Sequence, residues 1–450
     1  MSKNAQVSVF PSSVNSHQRG VGIVLEGESA EVIPRAVSQV LAVGGGSDLQ
    51  PRLRAMFPGL RTVALCRAAA LGWVQKPGEN QAVVVLNDDS PVERWIAAGR
   101  HINAEFPIDR IVAMADLDQD KAAAIAADLG VGFYSPEVVE RVHNKVEMRR
   151  RLRERGVDRL PYRDLTSAAE ARDFFAEAGP PLIVKPSRGR ASAGVTVVTE
   201  PAQLDAAYHR AATEHAPRVE PSSPIGERFV EGPEYSVECL SHRGHHYVFA
   251  VNEEFKDSVS KVEYGHVVPA RIDAEIETAL VAYVRECLTA LGIEHGITHS
   301  ELIFGPDGPV FLETHLRQAG DEIPHLIADA TGLDMADFFL RQVAGEDIGT
   351  LPELIARRDR PQYTAAAAIR YLVPPAEGVL EGIDGWDGVA ALPGVRAHAQ
   401  SAEAGAALNG LESSYSRLGH VRVRAADPAA ALQLLDKAFA AITVRVRPAA

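Results

Sequence analysis

The segment "HSELIFGPDGPVFLETHLR" (299–317) constrains the fold of this chain more than any other stretch. Two runs that alternate like β-strands flank "GPDGP" (305–309), a strong turn signal, so the segment predicts a β-hairpin. Glu313, His315 and Arg317 share one face of the second strand, because side chains on a strand have period two. Such a row is either an exposed face with ordinary charges or a polar site.

The pairing of this hairpin favours a metal site. If Phe304 pairs with Val310, Glu301 lies directly opposite Glu313, and facing carboxylates destabilise a ladder. A dication between them would remove the repulsion, and Mg²⁺ prefers one or two carboxylates together with substrate phosphates. His315, on the same face, is then a third ligand or a hydrogen-bond partner of this site.

Composition limits the classes of protein to consider. The 450 residues suggest two to four domains, and 46% hydrophobic residues suffice for real cores. A formal charge of −14 argues against binding nucleic acid through its phosphates. The three cysteines have no metal spacing, which indicates a reducing compartment. Neither a signal peptide nor a membrane-spanning run is recognisable, so we expect a soluble cytoplasmic protein that binds no membrane.

The rest of the chain reads as alternating strands and helices. Short apolar runs between 38 and 115 alternate with helical stretches, which predicts a parallel sheet with crossovers. Glycine stops end three predicted helices, one charged helix from 135 to Gly156 and two others at 167–179 and 274–292. Several strands are expected at 225–255, and short strands with an Ala-rich helix after 350.

A lysine beside a glycine-rich loop is the second polar feature. "LIVKP" places Lys185 at the end of a β-branched run, and "SRGRASAGV" follows with Gly189 and Gly194. Backbone amides of such a loop can approach phosphate oxygens closely while the lysine neutralises charge. The lysine precedes the glycines and a strand follows, so this is not a Walker A loop. It is either an ordinary hairpin loop or a flap over phosphates, and a lysine in a lysine-poor chain favours the flap.

Taken together and in this order, these residues resemble the ATP-grasp superfamily. Within it the chain is most similar to carboxylate–amine ligases of the bacterial amino-acid (dipeptide) ligase type, with biotin carboxylase-like subunits further away. The resemblance implies an α/β and α+β multidomain protein, in which a Rossmann-like α/β domain precedes the ATP-grasp fold and a C-terminal closing domain follows. The implied boundaries are a leader (1–35), an N-terminal α/β domain (36–140), a central subdomain with the glycine-rich flap (141–230), a catalytic subdomain (231–350) and a C-terminal α+β domain (351–450).

The resemblance also implies roles for individual residues. The expected metal ligands are Glu301, Glu313 and His315. The expected ATP-binding residues are Lys145 and Lys185 for phosphates, Arg188, Gly189, Ser192 and Gly194 in the flap, Glu227, Phe229 and Val230 at the adenine, and Glu234 at the ribose. The expected substrate-side and catalytic residues are Arg317 and Gly320 at the acyl phosphate, Lys185, and Glu263 and His266 beside the substrate. A packed or capping histidine is an equal alternative for His266.

One position departs from the family pattern. The family usually places asparagine where this chain has His315. Asparagine offers Mg²⁺ a hard oxygen, whereas imidazole suits transition metals better. The metal is therefore expected to be Mg²⁺, with Mn²⁺ as an alternative.

The function implied by the resemblance is ATP-dependent amide formation. ATP would convert a carboxylate, expected to be that of an amino acid, into an acyl phosphate, and the amine of an amino acid or peptide would attack it. Alternatives are a biotin carboxylase-like or purine-pathway ligase of the same superfamily, or a non-catalytic nucleotide-binding sensor. The expected partners are these small molecules, and a homodimer through the N-terminal domain is a further alternative.

Overall fold

The computed structural model describes most of the chain beyond the N-terminal segment. The described residues are 37–45, 48–189, 193–214, 221–258 and 260–448. The predicted leader, 1–35, lies outside them. None of the described helices is both long and apolar enough to cross a lipid bilayer.

A four-stranded parallel sheet forms the N-terminal part, as the alternating pattern predicted. Its strand order is β3-β2-β1-β4, and helices connect the strands. The elements are β1 (Gln39–Val43), α1 (Leu49–Met56), β2 (Arg61–Arg67), β3 (Ala82–Leu86), α2 (Val92–Glu105), β4 (Arg110–Val112) and α3 (Asp116–Leu129). All five residues of β1 are buried, as expected for an inner strand covered on both faces. The chain leaves β4 and enters α3 at Asp116, which this sheet presents to the rest of the molecule.

Two helices occupy the stretch predicted as one charged helix ending at Gly156, so that prediction is wrong. They are α4 (Pro136–His143) and α5 (Lys145–Glu154). Asn144 separates them in an extended conformation, and its side chain accepts a hydrogen bond from the Val146 amide at 3.1 Å. Asparagine is a preferred N-cap because its oxygen satisfies a free amide of the first turn. The cap makes Lys145 the first residue of α5.

A small antiparallel sheet follows and carries the predicted flap hairpin. Its order is β5-β8-β6-β7, with β6 and β7 joined by the Gly/Ser/Arg loop. The elements are β5 (Tyr162–Asp164), α6 (Ala168–Ala178), β6 (Leu182–Pro186), β7 (Thr196–Val198), α7 (Leu204–Thr213) and β8 (Pro224–Arg228). The helix predicted at 167–179 is confirmed as α6, with Ser167 as its N-cap and Gly179 at its end.

An eight-stranded antiparallel sheet dominates the remainder, in the order β13-β12-β9-β10-β11-β14-β18-β16. A three-stranded sheet, β17-β15-β19, lies in the C-terminal part. The strands are β9 (Glu234–His242), β10 (His245–Lys256), β11 (Glu263–Val268), β12 (Gly296–Gly305), β13 (Gly308–His315), β14 (Ala366–Leu372), β15 (Gly378–Asp384), β16 (Val395–Gln400), β17 (Ala407–Leu408), β18 (Gly419–Ala425) and β19 (Thr443–Arg447). The helices are α8 (Ala274–Leu291), α9 (Ile323–Thr331), α10 (Met335–Val343), α11 (Pro352–Ile355), α12 (Trp386–Ala390) and α13 (Pro428–Ala440).

Helices cover this sheet with apolar side chains. Helix α8, the long helix predicted at 274–292, packs with α4 and α5 against buried residues of β9 such as Val237 and Cys239. Helices α9 and α10 pack against a second cluster around Phe249 and Leu240. Strands β14 and β18 extend the sheet beyond β11, so the C-terminal segment shares the sheet that carries the predicted catalytic subdomain.

The hairpin of β12 and β13 exists, but its predicted end register is wrong. Val310 pairs with Ile303 rather than with Phe304. A β-bulge adds one residue to β13 at Leu312, and this shift brings Glu313 back opposite Glu301. The facing carboxylates therefore occur as predicted, through a feature that alternation alone does not reveal.

The cap at Asn144 gives a stability prediction. We expect Asn144→Ala to lower the free energy of unfolding by about 1 kcal/mol, because α5 loses its N-cap. Asn144→Ser, whose hydroxyl can still accept from the Val146 amide, should recover most of the loss. Urea unfolding followed by circular dichroism measures both variants. Equal stability of Asn144→Ala and wild type would contradict the capping role.

Candidate active site

One face of the large sheet carries a continuous surface of polar side chains. Paired positions run across the strands from Glu313 on β13 to Glu301 on β12, Ser236 on β9 and Asn252 on β10. The neighbouring row runs from His315 to His299 and Glu238. Because alternate residues of a strand share a face, these positions form one surface. Most of them are buried or half-buried.

The three predicted metal ligands lie together on this face. One ligand atom from each of Glu301, Glu313 and His315 lies within 4.8 Å of the other two. Lys145 Nζ lies 2.5 Å from Glu313 Oε2, and His299 Nε2 lies 3.3 Å from Glu301 Oε1. Burial alone would raise the pKa of Glu301, but the hydrogen bond with His299 and the charges of His299 and Lys256 together lower that pKa to about 2. Two ionised carboxylates beside an imidazole suit a divalent cation, so the residues present fit the expected metal.

His315 is oriented by an aspartate from the N-terminal part of the chain. Its Nδ1 lies 3.5 Å from Asp116 Oδ2, and its Nε2 lies 3.4 Å from Glu313 Oε1. Asp116 also accepts a 2.9 Å hydrogen bond from Arg317 Nε. Burial opposes charge on His315, yet hydrogen bonds with Asp116 and Glu313 raise its pKa. A carboxylate at Nδ1 is the usual way in which proteins orient a metal-ligating histidine.

The two predicted phosphate lysines reach this region from different elements. Lys145 begins α5, and its backbone amide donates to Ser187 O at 2.8 Å, which ties the helix to the residue directly after the flap strand β6. Lys185 lies on β6 and is 7% exposed. Burial lowers the pKa of Lys185, the neighbouring Glu227 opposes that change, and the charges of Lys145 and Arg149 reinforce it.

Glu227 connects Lys185 to a buried ion-pair network. Glu227 Oε2 lies 2.8 Å from Lys185 Nζ, and Oε1 accepts a 2.7 Å hydrogen bond from Arg149 Nε. Arg149 in turn lies 2.5 Å from Asp158. Both oxygens of Glu227 are thus already engaged with cations, so its side chain positions Lys185. Direct contact of Glu227 with an adenine stays a prediction.

Among the remaining predicted nucleotide residues, Arg188, Phe229 and Val230 follow strands of the flap sheet, whereas Glu234 begins β9 of the large sheet. The amide of Phe229 donates to Pro181 O, and a Cβ at Gly305 would lie 2.7 Å from Val230 Cγ1. Glu234 pairs with Lys256, and Arg188 pairs with Glu140. Gly194 has φ +73°, and a Cβ there would lie 2.7 Å from Glu214 O, so the flap requires glycine at this position. Gly189 is also described, whereas Ser192 lies outside the described residues.

His266 and Glu263 lie on β11, next to the polar surface of the large sheet. His266 is 2% exposed, its Nε2 lies 3.2 Å from Asp321 Oδ2, and it faces Glu254 across the β10–β11 pair. Burial raises the pKa of Glu254 to about 7, although Lys256 opposes this. His266 is therefore packed and also held by polar partners, which leaves both of its predicted roles open. Gly320, directly before Asp321, is exposed with open space around its Cα.

A C-terminal arginine, which the sequence did not single out, completes this region. Arg417 donates to Asp321 at 2.8 Å, lies 3.7 Å from Glu263, and stacks over the Tyr371 ring at 4.0 Å. Asp321 and Glu322 both have φ near +60°, an uncommon conformation for non-glycine residues. Strained residues of this kind cluster at ligand sites. The alternating polar positions in "EYSVE" (234–238) and "NEEFK" (252–256) could have indicated the partners on β9 and β10, but no local pattern indicates Arg417 or Asp116.

Two family models match the chain. An ATP-grasp domain matches residues 178–325, and the L-amino acid ligase C-terminal domain 2 matches residues 370–447. Residues 178–325 of the chain are therefore similar to an ATP-grasp domain. The polar face of β9 to β13 and most of the flap sheet lie within the first match, and Arg417 lies within the second.

The chain is also similar to known proteins. It is 29% identical to the protein y4rH of Sinorhizobium fredii over 310 residues, which are 68% of this chain and 62% of that protein. It is 25% identical to an alanine–anticapsin ligase of Bacillus subtilis over 286 residues, 58% of this chain and 59% of that one. The chain thus spans about three fifths of the length of these relatives.

A solved structure supports the fold over nearly the whole chain. The L-amino acid ligase of Bacillus licheniformis superimposes with a TM-score of 0.74 and 20% sequence identity, covering 92% of this chain and all of that one. The predicted combination of an ATP-grasp fold with a preceding α/β domain is therefore confirmed.

The buried network around Glu227 and Arg149 gives a stability prediction. Arg149→Met leaves Glu227 and Asp158 without their shared cation, and breaking a buried ion pair in this way typically costs about 3–5 kcal/mol. We expect a loss of that size in urea unfolding. The double variant Arg149→Met/Asp158→Asn removes the carboxylate that has lost its cation, whereas Glu227 keeps Lys185, so it should be more stable than the single variant. If the double variant is less stable, the charge of Asp158 is not what Arg149 compensates.

Proposed function

We propose that this protein is an ATP-dependent ligase that joins an amino acid through its carboxylate to the amine of a second amino acid or a peptide. ATP transfers its γ-phosphoryl group to the carboxylate, which gives ADP and an acyl phosphate. The amine attacks the acyl carbon, the amide bond forms, and inorganic phosphate leaves. The roles of the residues named below are part of this proposal.

The observation that carries the proposal is the meeting of the Glu301–Glu313 pair with Lys145 on one sheet face. Phosphoryl transfer requires positioning and charge neutralisation more than covalent chemistry. Lys145 and Lys185 would hold phosphate oxygens, and Arg317, aligned by Asp116, would hold the acyl phosphate. A divalent metal held by Glu301, Glu313 and His315 would neutralise charge that develops on the phosphates. The hairpin loop between β6 and β7 would cover the site and exclude water.

The substrate side is assigned to the region around His266. Glu263, His266 and Gly320 lie near Asp321, which Arg417 holds from the C-terminal segment. This segment matches the L-amino acid ligase C-terminal domain 2. That match favours an amino-acid ligase over the biotin carboxylase-like and purine-pathway alternatives. Retention of both lysines and both glutamates argues against a non-catalytic sensor.

The test is ATP turnover with defined substrates. The protein is incubated with ATP, Mg²⁺ and pools of amino acids, each pool alone and together with a second amine. We expect ADP and phosphate to form only when an amino acid is present, and an amide to appear in mass spectra. Turnover with bicarbonate and biotin instead would move the protein to the carboxylase branch. ATP binding without turnover in any pool would favour the sensor.

Glu313→Gln should abolish this turnover. The amide keeps the shape of the side chain but removes one of the two charges that face the metal, so we expect phosphate release to fall by at least about 100-fold. The matched control is Glu275→Gln, an exposed glutamate on α8. Full activity of Glu313→Gln would refute the metal assignment.

His315→Asn should shift metal preference. Asparagine, the residue that the resemblance places at this position, offers an oxygen in place of the imidazole nitrogen. We expect the ratio of activity with Mn²⁺ to activity with Mg²⁺ to fall by about threefold or more. His325→Asn, on the exposed side of α9, is the control. An unchanged ratio would mean that His315 does not ligate the metal.

A further inference from the structure

A cavity of about 460 Å³ lies between the N-terminal parallel sheet, the start of β12 and helix α10. None of the residues assigned above to ATP, metal or substrate lines it. Its walls are largely apolar, with side chains such as Ile111, Met114, Phe133, Ile297, Leu316 and Phe339. Its size and lining are those of a small-molecule site, in which apolar walls surround a few polar groups.

Arg110 is the cation of this cavity. Its Nη1 donates to Gln342 O at 2.7 Å, but its buried Nε has no hydrogen-bond partner among the described residues. The charge of the neighbouring Asp109 acts on it, but the Asp109 carboxylate also accepts hydrogen bonds from the Ser38 hydroxyl and the Gln39 amide. A half-buried guanidinium with an unused donor is costly unless an anion compensates it, and a carboxylate matches its geometry.

Tyr134 offers a second polar group to the cavity. Its hydroxyl makes no hydrogen bond within the described part of the chain. A Cβ at Gly296 would lie 1.9 Å from this hydroxyl oxygen, and Gly296 has φ +88°, so glycine at this position leaves room for the Tyr134 ring in the wall. The other polar wall groups are already bonded or exposed. The Gln342 side chain accepts a hydrogen bond from Gly296 N and donates one to Ser241 O, whereas Glu294 and His295 are exposed.

The inner wall of the cavity adjoins the candidate active site. Leu316 lies directly before Arg317, and its carbonyl accepts a 3.0 Å hydrogen bond from Gln119. Ala113 and Met114 line the cavity from the segment that leads to Asp116. A molecule that packs against Met114 and Leu316 would therefore contact both segments that carry the Asp116–Arg317 pair.

We propose that this cavity binds a small molecule with one carboxylate on an apolar body, the carboxylate on Arg110 and the body against the walls. We further propose that occupancy of the cavity is coupled to nucleotide binding through Leu316 and Arg317. The second statement rests on the proposed nucleotide site, and the first does not.

The test measures binding directly with three probes, 3-phenylpropionate, octanoate and indole-3-acetate, by calorimetry up to about 10 mM. At least one probe should bind wild type saturably. Arg110→Gln should weaken that binding by about tenfold or more, because a charge-assisted pair is lost. Gly132→Leu should also weaken it, because Gly132 lines the cavity and its Cβ position lies 3.7 Å from Arg110 Nε. Arg94→Gln, an exposed arginine on α2, should bind like wild type.

Two outcomes would overturn the cavity site, no saturable binding of any probe or equal affinity of Arg110→Gln and wild type. In the second case, loss of binding in Arg317→Gln would place the probes in the active site instead.

The coupling is tested by repeating the titration with saturating Mg·ADP. Linkage requires that each ligand changes the affinity of the other by the same factor, and we expect a change of about threefold or more. An unchanged affinity would refute the coupling and leave the cavity site standing. Failure of Mg·ADP itself to bind would count against the proposed function and not against the cavity.

Discussion

Two carboxylates, those of Glu301 and Glu313, face each other across adjacent strands, and the cationic groups around them make this arrangement tolerable. Two like charges about 5 Å apart repel by about 3 kcal/mol at an effective dielectric constant near 20. Lys145 and the imidazoles of His299 and His315 lie within 3.4 Å of one carboxylate or the other. Since these groups come from α5, β12 and β13, the packing of the helix on the sheet and the charge balance of the site depend on each other.

The same dependence extends to the N-terminal sheet. Asp116 lies where the chain leaves β4, and its carboxylate contacts both His315 and Arg317. Burial would raise the pKa of Asp116, but hydrogen bonds and charges from these two residues lower it well below its ordinary value. An acid at the start of α3 therefore aligns a predicted metal ligand and a predicted anion-binding group that belong to the large sheet and the segment after it. The network of Arg149, Glu227 and Lys185 does the same between α5 and the flap sheet.

The C-terminal segment extends the large sheet and also contributes to the site. Strand β14 pairs with β11, and β18 pairs with β14, so the strand that carries His266 is an inner strand. Arg417 precedes β18 and reaches Asp321, which is strained and bonded to His266. Through this contact the C-terminal segment touches the region proposed to bind substrate, although no motif in its own sequence indicates this.

Local sequence determined much of this protein. Period-two alternation placed Glu313, His315 and Arg317 on one face, glycine stops ended α6 and α8, and the order of lysines, glycine loop and acids indicated the ATP-grasp fold. Side-chain period and backbone conformation are local properties, so a single segment carries them. The tertiary structure alone decided the bulge at Leu312, the pairing of Glu227 with Arg149 and Lys185, and the reach of Asp116 and Arg417 into the site. Those contacts join residues up to 201 positions apart, and only the packing of separate sheets brings such charges close enough to interact.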